Sequence, residues 1–230
     1  MAPSAIRISD AGSDWPRSAR WALWATILGI ALYIALDVIA QLLPPHYNAI
    51  SQAESDLGVG PYGWVMDLNF VVRGVLSLTF VYALYRVWPS ASQRPNVGLA
   101  LIGAWGVGAF ILSFNTATIS GPATTHGTIH NLTAALAFLF AAVGALLVSY
   151  AMNSTPPWGA TRRYAWPLAI VSAVALLALS VGTSFPRIDA HYFGLLERVF
   201  LGFVLLWMLV ISILLIRSSH RQTLRDATPH

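Results

Sequence analysis

The apolar positions of this chain run together in six long blocks: Trp21–Leu43, Gly63–Val87, Val97–Ile119, Ile129–Met152, Tyr164–Thr183 and Tyr192–Ile216. Each is close to the roughly 20 residues an α-helix needs to cross a bilayer core. The pattern predicts an all-α integral membrane bundle of six transmembrane helices with short loops. A tail is expected over residues 1–20, the membrane domain over 21–216 and a second tail over 217–230. The first block is too long for a signal-peptide core and lacks a small-residue cleavage pattern, so it reads as an uncleaved anchor. Helix breakers fall between the blocks: Pro44-Pro45, Pro89 and Pro95, Gly121-Pro122, and Pro156-Pro157 followed by Gly159. Trp21, Trp24, Tyr62, Trp64, Trp88, Trp158, Tyr164 and Tyr192 sit near block ends, as an interfacial belt would. Ala100, Ala104 and Gly108 have the small-x-x-x-small spacing that lets helices approach closely.

Composition agrees. The 230 residues are 57% hydrophobic and 10% charged, against about 25% charged in soluble domains, which excludes water as the main solvent. All cations are arginine, and a scattered formal charge of +4 gives no footprint for nucleic acid. The arginines set orientation instead. Arg7, Arg17, Arg20, Arg86, Arg94, Arg162, Arg163, Arg217, Arg221 and Arg225 fall on one side, while the opposite loops, about 44–62, 120–128 and 184–191, hold only Arg187, with Asp189 beside it. Both termini are therefore expected in the cytoplasm of a multi-pass plasma-membrane protein. The absence of cysteine rules out disulfides, a thiolate nucleophile and cysteine-ligated metal.

Polar residues inside a membrane are expensive, so their depth is informative. Asp37 and Gln41 lie near the outer end of helix 1; Asp67, Asn69, Arg73 and Ser77 run down helix 2; Ser113, Asn115 and Thr116 end helix 3. His126, His130 and Thr133 open helix 4, Ser180, Thr183 and Ser184 end helix 5, and His191, Glu197 and Arg198 open helix 6. The outer halves are polar and the inner halves nearly apolar, which predicts a cavity open outward and closed inward. Arg73, on the order of 15 Å below the outer boundary, must face a partner, and Asp67 or Glu197 is expected there. The same charges would also serve as buried ion pairs that fix helix register.

His126 and His130 lie four apart on one helical face, the spacing used to chelate a metal. No general-base glutamate follows His126, so this is not a zincin motif. A divalent metal such as zinc would take His126 and His130, with His191, His46, Asp67 or Glu197 completing an open site. His220 and His230 fall in the tail and read as solvated surface. The longest outer loop, His46 to Gly58, has acids, hydroxyls and amides but no cation. Its Ser55-Asp56-Leu57-Gly58 reads as a cap and turn into helix 2, or as a lid over the cavity. Ser51 or Ser55 as a nucleophile has no base at a defining spacing.

Several segments together resemble the domain-of-unknown-function 998 family of bacterial and archaeal membrane proteins: Ile50-Ser-Gln-Ala-Glu-Ser-Asp-Leu-Gly58, Asp67-Leu-Asn-Phe-Val-Val-Arg-Gly74, Gly127-Thr-Ile-His-Asn-Leu132 and Leu196-Glu-Arg-Val199 with Trp207. The likeness runs from about residue 20 to 216. It implies six helices and an outer polar cluster, and it singles out Asn69, His130, Glu197 and Arg198.

Two classes of function fit. One is a metal-assisted hydrolase or transferase on a lipid-like substrate, with His130, Asp67 and Glu197 catalytic and Asn69, Arg73, Asn115, Arg198 and Ser55 holding substrate. The other is a non-catalytic protein binding lipid or a small ligand, or an accessory subunit of a larger membrane complex or homo-oligomer. Secondary transport is disfavoured by the apolar inner halves and the lack of a broken helix pair.

Overall fold

The computed structural model describes residues 15–89, 92–155 and 158–226. Arg7, His230 and the Pro156-Pro157 breaker lie outside the described residues. Among those described, every regular element is helical: α1 Arg17–Leu42, α2 Gly63–Val87, α3 Asn96–Ser113, α4 Thr125–Ala151, α5 Gly159–Gly182 and α6 Pro186–Asp226. Short 3₁₀ turns cover Glu54–Gly58 and Met152–Ser154. All six α-helices are long and apolar enough to cross a membrane, and the chain is a multi-pass integral membrane protein.

Several helix ends differ from expectation, α6 running past Ile216 to Asp226 where a tail was expected, and two of them have a local reason. α3 stops at Ser113 rather than Ile119. There the Ser113 hydroxyl donates to the Phe110 carbonyl and the Asn115 amide to that of Ile111, so side chains take up the terminal carbonyls that another turn would have used. α6 begins at Pro186, because proline suits the first helical position and the Ile188 and Asp189 amides both donate to the Phe185 carbonyl.

Each helix packs on the next, and α6 returns to α1, closing a ring. The α1–α2, α2–α3, α3–α4 and α5–α6 seams are dense, whereas α4–α5 and α6–α1 are thin. Of the expected small-residue stripe only Gly108 is tightly packed: Ala100 is exposed, while a methyl group on Gly108 would lie 3.1 Å from the Ala137 Cβ. Trp88 and Trp158 leave the expected aromatic belt. Both are 3% exposed and stack edge to face at 4.5 Å, pinning α2 to α5 at the end of the bundle that carries the termini. Trp21, Trp24, Tyr62, Trp64, Tyr164 and Tyr192 are exposed, as a belt requires.

Polarity divides the bundle along its length. Towards the termini the buried polar groups are mostly hydroxyls bonded within the protein: Thr26 to the Ala22 carbonyl, Ser212 to that of Met208, and Ser149 accepting from the Trp207 indole at 2.8 Å. Towards the opposite end, the site end, buried charges gather.

Candidate functional site

The site end is organised by the long α1–α2 connection, which turns Glu54 into the bundle while its other residues stay part-buried or exposed. Its anchor is Arg198 on α6. One guanidinium nitrogen, Nη1, donates to the carbonyls of Ala49, Gln52 and Gly194 at 3.2–3.4 Å. The other, Nη2, donates to the Tyr47 hydroxyl at 2.8 Å and to Asp37 at 3.4 Å. Arg198–Asp37 is the one ion pair among the described residues. The Leu195 amide adds a bond to the Ile50 carbonyl at 2.9 Å. Close approach is possible because position 194 is glycine: a Cβ there would fall 2.0 Å from the Gln52 carbonyl oxygen. The planar fork of arginine suits this work, since it offers several donors in fixed directions.

Behind this seat, Glu54 is 3% exposed. Its carboxylate accepts from the Tyr33 hydroxyl at 2.5 Å, and its amide donates to the Glu197 carboxylate at 2.6 Å. Burial holds the Glu54 carboxyl above its ordinary range, and the neighbouring Asp37 charge adds to that. Burial likewise raises Asp56, whose carboxylate accepts from the Ala53 amide at 3.2 Å and closes the 3₁₀ turn. Burial raises the Tyr47 phenol despite the guanidinium beside it. Asp56 thus closes the segment as a turn ahead of α2, and the same segment forms a wall of the cavity described below.

Arg73 does not meet Asp67. Asp67 is half-buried and makes no hydrogen bond or ion pair among the described residues. The Arg73 guanidinium, 2% exposed, lies instead over the rings of Phe70 at 5.0 Å and Trp105 at 5.7 Å. Ring faces carry negative quadrupole density, so they partly replace a counterion. The Glu54 and Glu197 carboxylates lie within electrostatic reach of it without touching it. Its Nε and Nη2, and the Oδ1 of fully buried Asn69, lack partners among the described residues. Such atoms are where buried water sits.

Asn115 gathers two of the histidines. Its backbone carbonyl lies 2.7 Å from His130 Nδ1 and its Oδ1 lies 3.0 Å from His126 Nδ1. A carbonyl only accepts, so both rings donate through Nδ1 and keep the Nε2 lone pair in the neutral form. The rings nonetheless open into different spaces. His126 lines a surface hollow with Phe114, Thr118 and Thr124, whereas His130 is 3% exposed, edge-on to Phe70. His191 is exposed and bonds back to the Arg187 carbonyl of its own helix at 2.8 Å. Among the described residues no three histidine or carboxylate side chains converge as a metal would need.

Two clefts open at the thin seams. The larger, about 650 Å³, lies between α4, α5 and α6 under the Glu54–Gly58 turn. Ser55, Asp56, His130, Asn131, Ser180, Thr183 and Glu197 line its site end, and Phe138, Leu139 and Leu176 line its depth. The smaller, about 440 Å³, lies between α1 and α6. Segment 53–56 partitions them: Ala53, Ser55 and Asp56 border the first cleft and Glu54 the second. Of the residues expected to form one site, His130, Glu197 and Ser55 share the larger cleft. Arg198 belongs to the smaller one, Asn69 and Arg73 are buried, and Asp67 and Asn115 line neither cleft.

Tyr33, Tyr47 and Glu54 were not singled out by the sequence. Tyr33 looked like one more apolar position of α1, and Glu54 like a loop acid. The available signal was the loop's complete lack of cations, which leaves its acids and carbonyls to be met from elsewhere.

No curated protein and no solved structure matches the chain. A family model described as "Protein of unknown function (DUF998)" matches residues 27–214, a span holding every residue of both clefts, and the chain belongs to that family.

Proposed function

We propose that the α4–α5–α6 cleft binds a lipid-like amphiphile, with its headgroup against His130, Asn131 and Glu197 and its chain along Phe138, Leu139 and Leu176. One observation supports this above all: polarity is graded within a single cavity, polar at the site end and apolar towards the bilayer middle, as in an amphiphile lying along the membrane normal. Replacing Ala135, on the cleft wall, by Trp fills the chain slot. Native mass spectrometry of the purified protein should then lose bound amphiphile by about tenfold or more, a change of ~1.4 kcal/mol, with little change in melting temperature. Retention of the same lipid by the variant would sink this reading.

A catalytic version is favoured by the His130 tautomer. With Nδ1–H committed to the Asn115 carbonyl, the free Nε2 lone pair is what a general base requires, and Glu197 lines the same cleft. The spectra would then contain hydrolysed or transferred product that a His130→Gln variant lacks. Only intact amphiphile would leave binding as the function.

In this reading the site end faces outward from the plasma membrane and both termini are cytoplasmic. Arg17, Arg20, Arg86, Arg94, Arg162, Arg163 and Arg217 lie at the terminal end and Arg187 alone in the short connections of the other. Reporters fused at residue 123 are expected to be external and those at 92 and 159 cytoplasmic, and the reverse pattern would overturn the orientation.

A further inference from the structure

We infer that the second cleft, between α1 and α6, holds a membrane lipid whose headgroup carries a primary ammonium, such as phosphatidylethanolamine. This cleft is separate from the one in the proposed function and stands without it.

The shape is that of a lipid slot. Ile30, Ile34, Leu201 and Leu205 give it apolar walls, and Asp37, Glu54 and Arg198 stand at the site end. Gly202 lies on α6 within it, and a Cβ there would meet nothing within 4 Å. The open space begins at the helix backbone, so a chain can lie against it.

The headgroup class follows from counting donors and acceptors. Arg198 is mostly committed: Nη1 serves three carbonyls, Nη2 serves Tyr47 and Asp37, and only the buried Nε has no partner among the described residues. Little is left to grip a phosphate. The acids are under-used. Each Asp37 oxygen accepts one bond, from Arg198 or Gln41, and of the Glu54 oxygens only Oε1 accepts one, from Tyr33. A carboxylate has about four acceptor sites. The cleft therefore lacks donors, and an –NH₃⁺ group brings three.

Charge points the same way. Two carboxylates, Asp37 and Glu54, line this cleft against one guanidinium, Arg198. A cation at the mouth offsets that excess where solvent screening is weak. A quaternary choline head brings charge without N–H donors, so it satisfies only half of the requirement.

The test uses the full chain, delipidated in detergent and titrated with phosphatidylethanolamine, its N-methylated derivatives, phosphatidylcholine and phosphatidylglycerol of identical acyl chains. Native mass spectrometry and thermal shift are the readouts. Ethanolamine lipid should be retained at least tenfold over choline lipid, falling stepwise with each added methyl. Glu54→Gln, which keeps the oxygen that accepts from Tyr33, and Gly202→Trp, which projects into open space, should each cut the preference several-fold. Ala135→Trp should leave it intact. Equal retention of ethanolamine and choline lipids, preference for the glycerol lipid, or indifference to both Glu54→Gln and Gly202→Trp would overturn the inference. Loss of the preference in Ala135→Trp alone would place the amine in the other cleft and overturn it too.

Discussion

Replacing Gly194 by Ala is expected to unseat the α1–α2 connection. The added carbon would sit 2.0 Å from the Gln52 carbonyl oxygen and 2.7 Å from that of Ala49, and neither can yield, because both carbonyls are also held by Arg198. Overpacking typically costs about 1–3 kcal/mol. Here the loop must also give up the Leu195–Ile50 bond and part of the Arg198 fan, so a loss of about 3 kcal/mol or more is expected. In a chain of this size that lowers the melting temperature by on the order of 10 °C. The control is Gly202→Ala on the same helix, where nothing is near. Should the two variants melt together, the loop is not seated against α6.

Arg198→Met should cost more than its lost ion pair suggests. It removes a donor from the Asp37 carboxylate, the Tyr47 hydroxyl and three carbonyls at once, although Gln41 still donates to Asp37 and Tyr47 to the Gln52 carbonyl. Breaking one side of this half-buried pair costs up to about 3–5 kcal/mol. Adding Asp37→Asn removes the stranded charge and should recover part of the loss, whereas independent sites would simply add. Arg198→Lys keeps the charge but not the fork, so it should fall between wild type and Met. Chemical or thermal unfolding of these proteins and of Asp37→Asn alone, in one detergent, decides it. A loss in the double variant equal to the sum of the Arg198→Met and Asp37→Asn losses would show that the pair is not coupled.

These two positions also mark the limit of what could be read from sequence. The six helices were legible because apolar blocks of membrane-spanning length have few alternatives in a bilayer, and the gathering of charge at one end followed from where the blocks turn polar. Helix ends were less legible. Nothing in the run to Ile119 indicates that the Ser113 and Asn115 side chains would take up the terminal carbonyls of α3.

Partners were least legible, since they are set by the ring rather than by spacing along the chain. Arg73 was expected against a carboxylate and found aromatic faces, an arrangement that needs α2 and α3 in register. His126 and His130 share a helical face yet open into different spaces, because Asn115 reaches one with its side chain and the other with its backbone. The i, i+4 rule gives proximity along a helix. It says nothing of what a third element places between the two rings.

The reach of Arg198 also has a consequence in time. Its acceptors at residues 47, 49 and 52 leave the ribosome first, and the guanidinium that gathers them arrives some 149 residues later. Until then the first connection has no seat, and its carbonyls and buried-to-be acids must wait in water. A cation-free polar stretch tolerates that wait, whereas an apolar one would invite aggregation. Helix α6 thus acts as a latch on the α1–α2 connection, and neither cleft can acquire its partition before α6 is made.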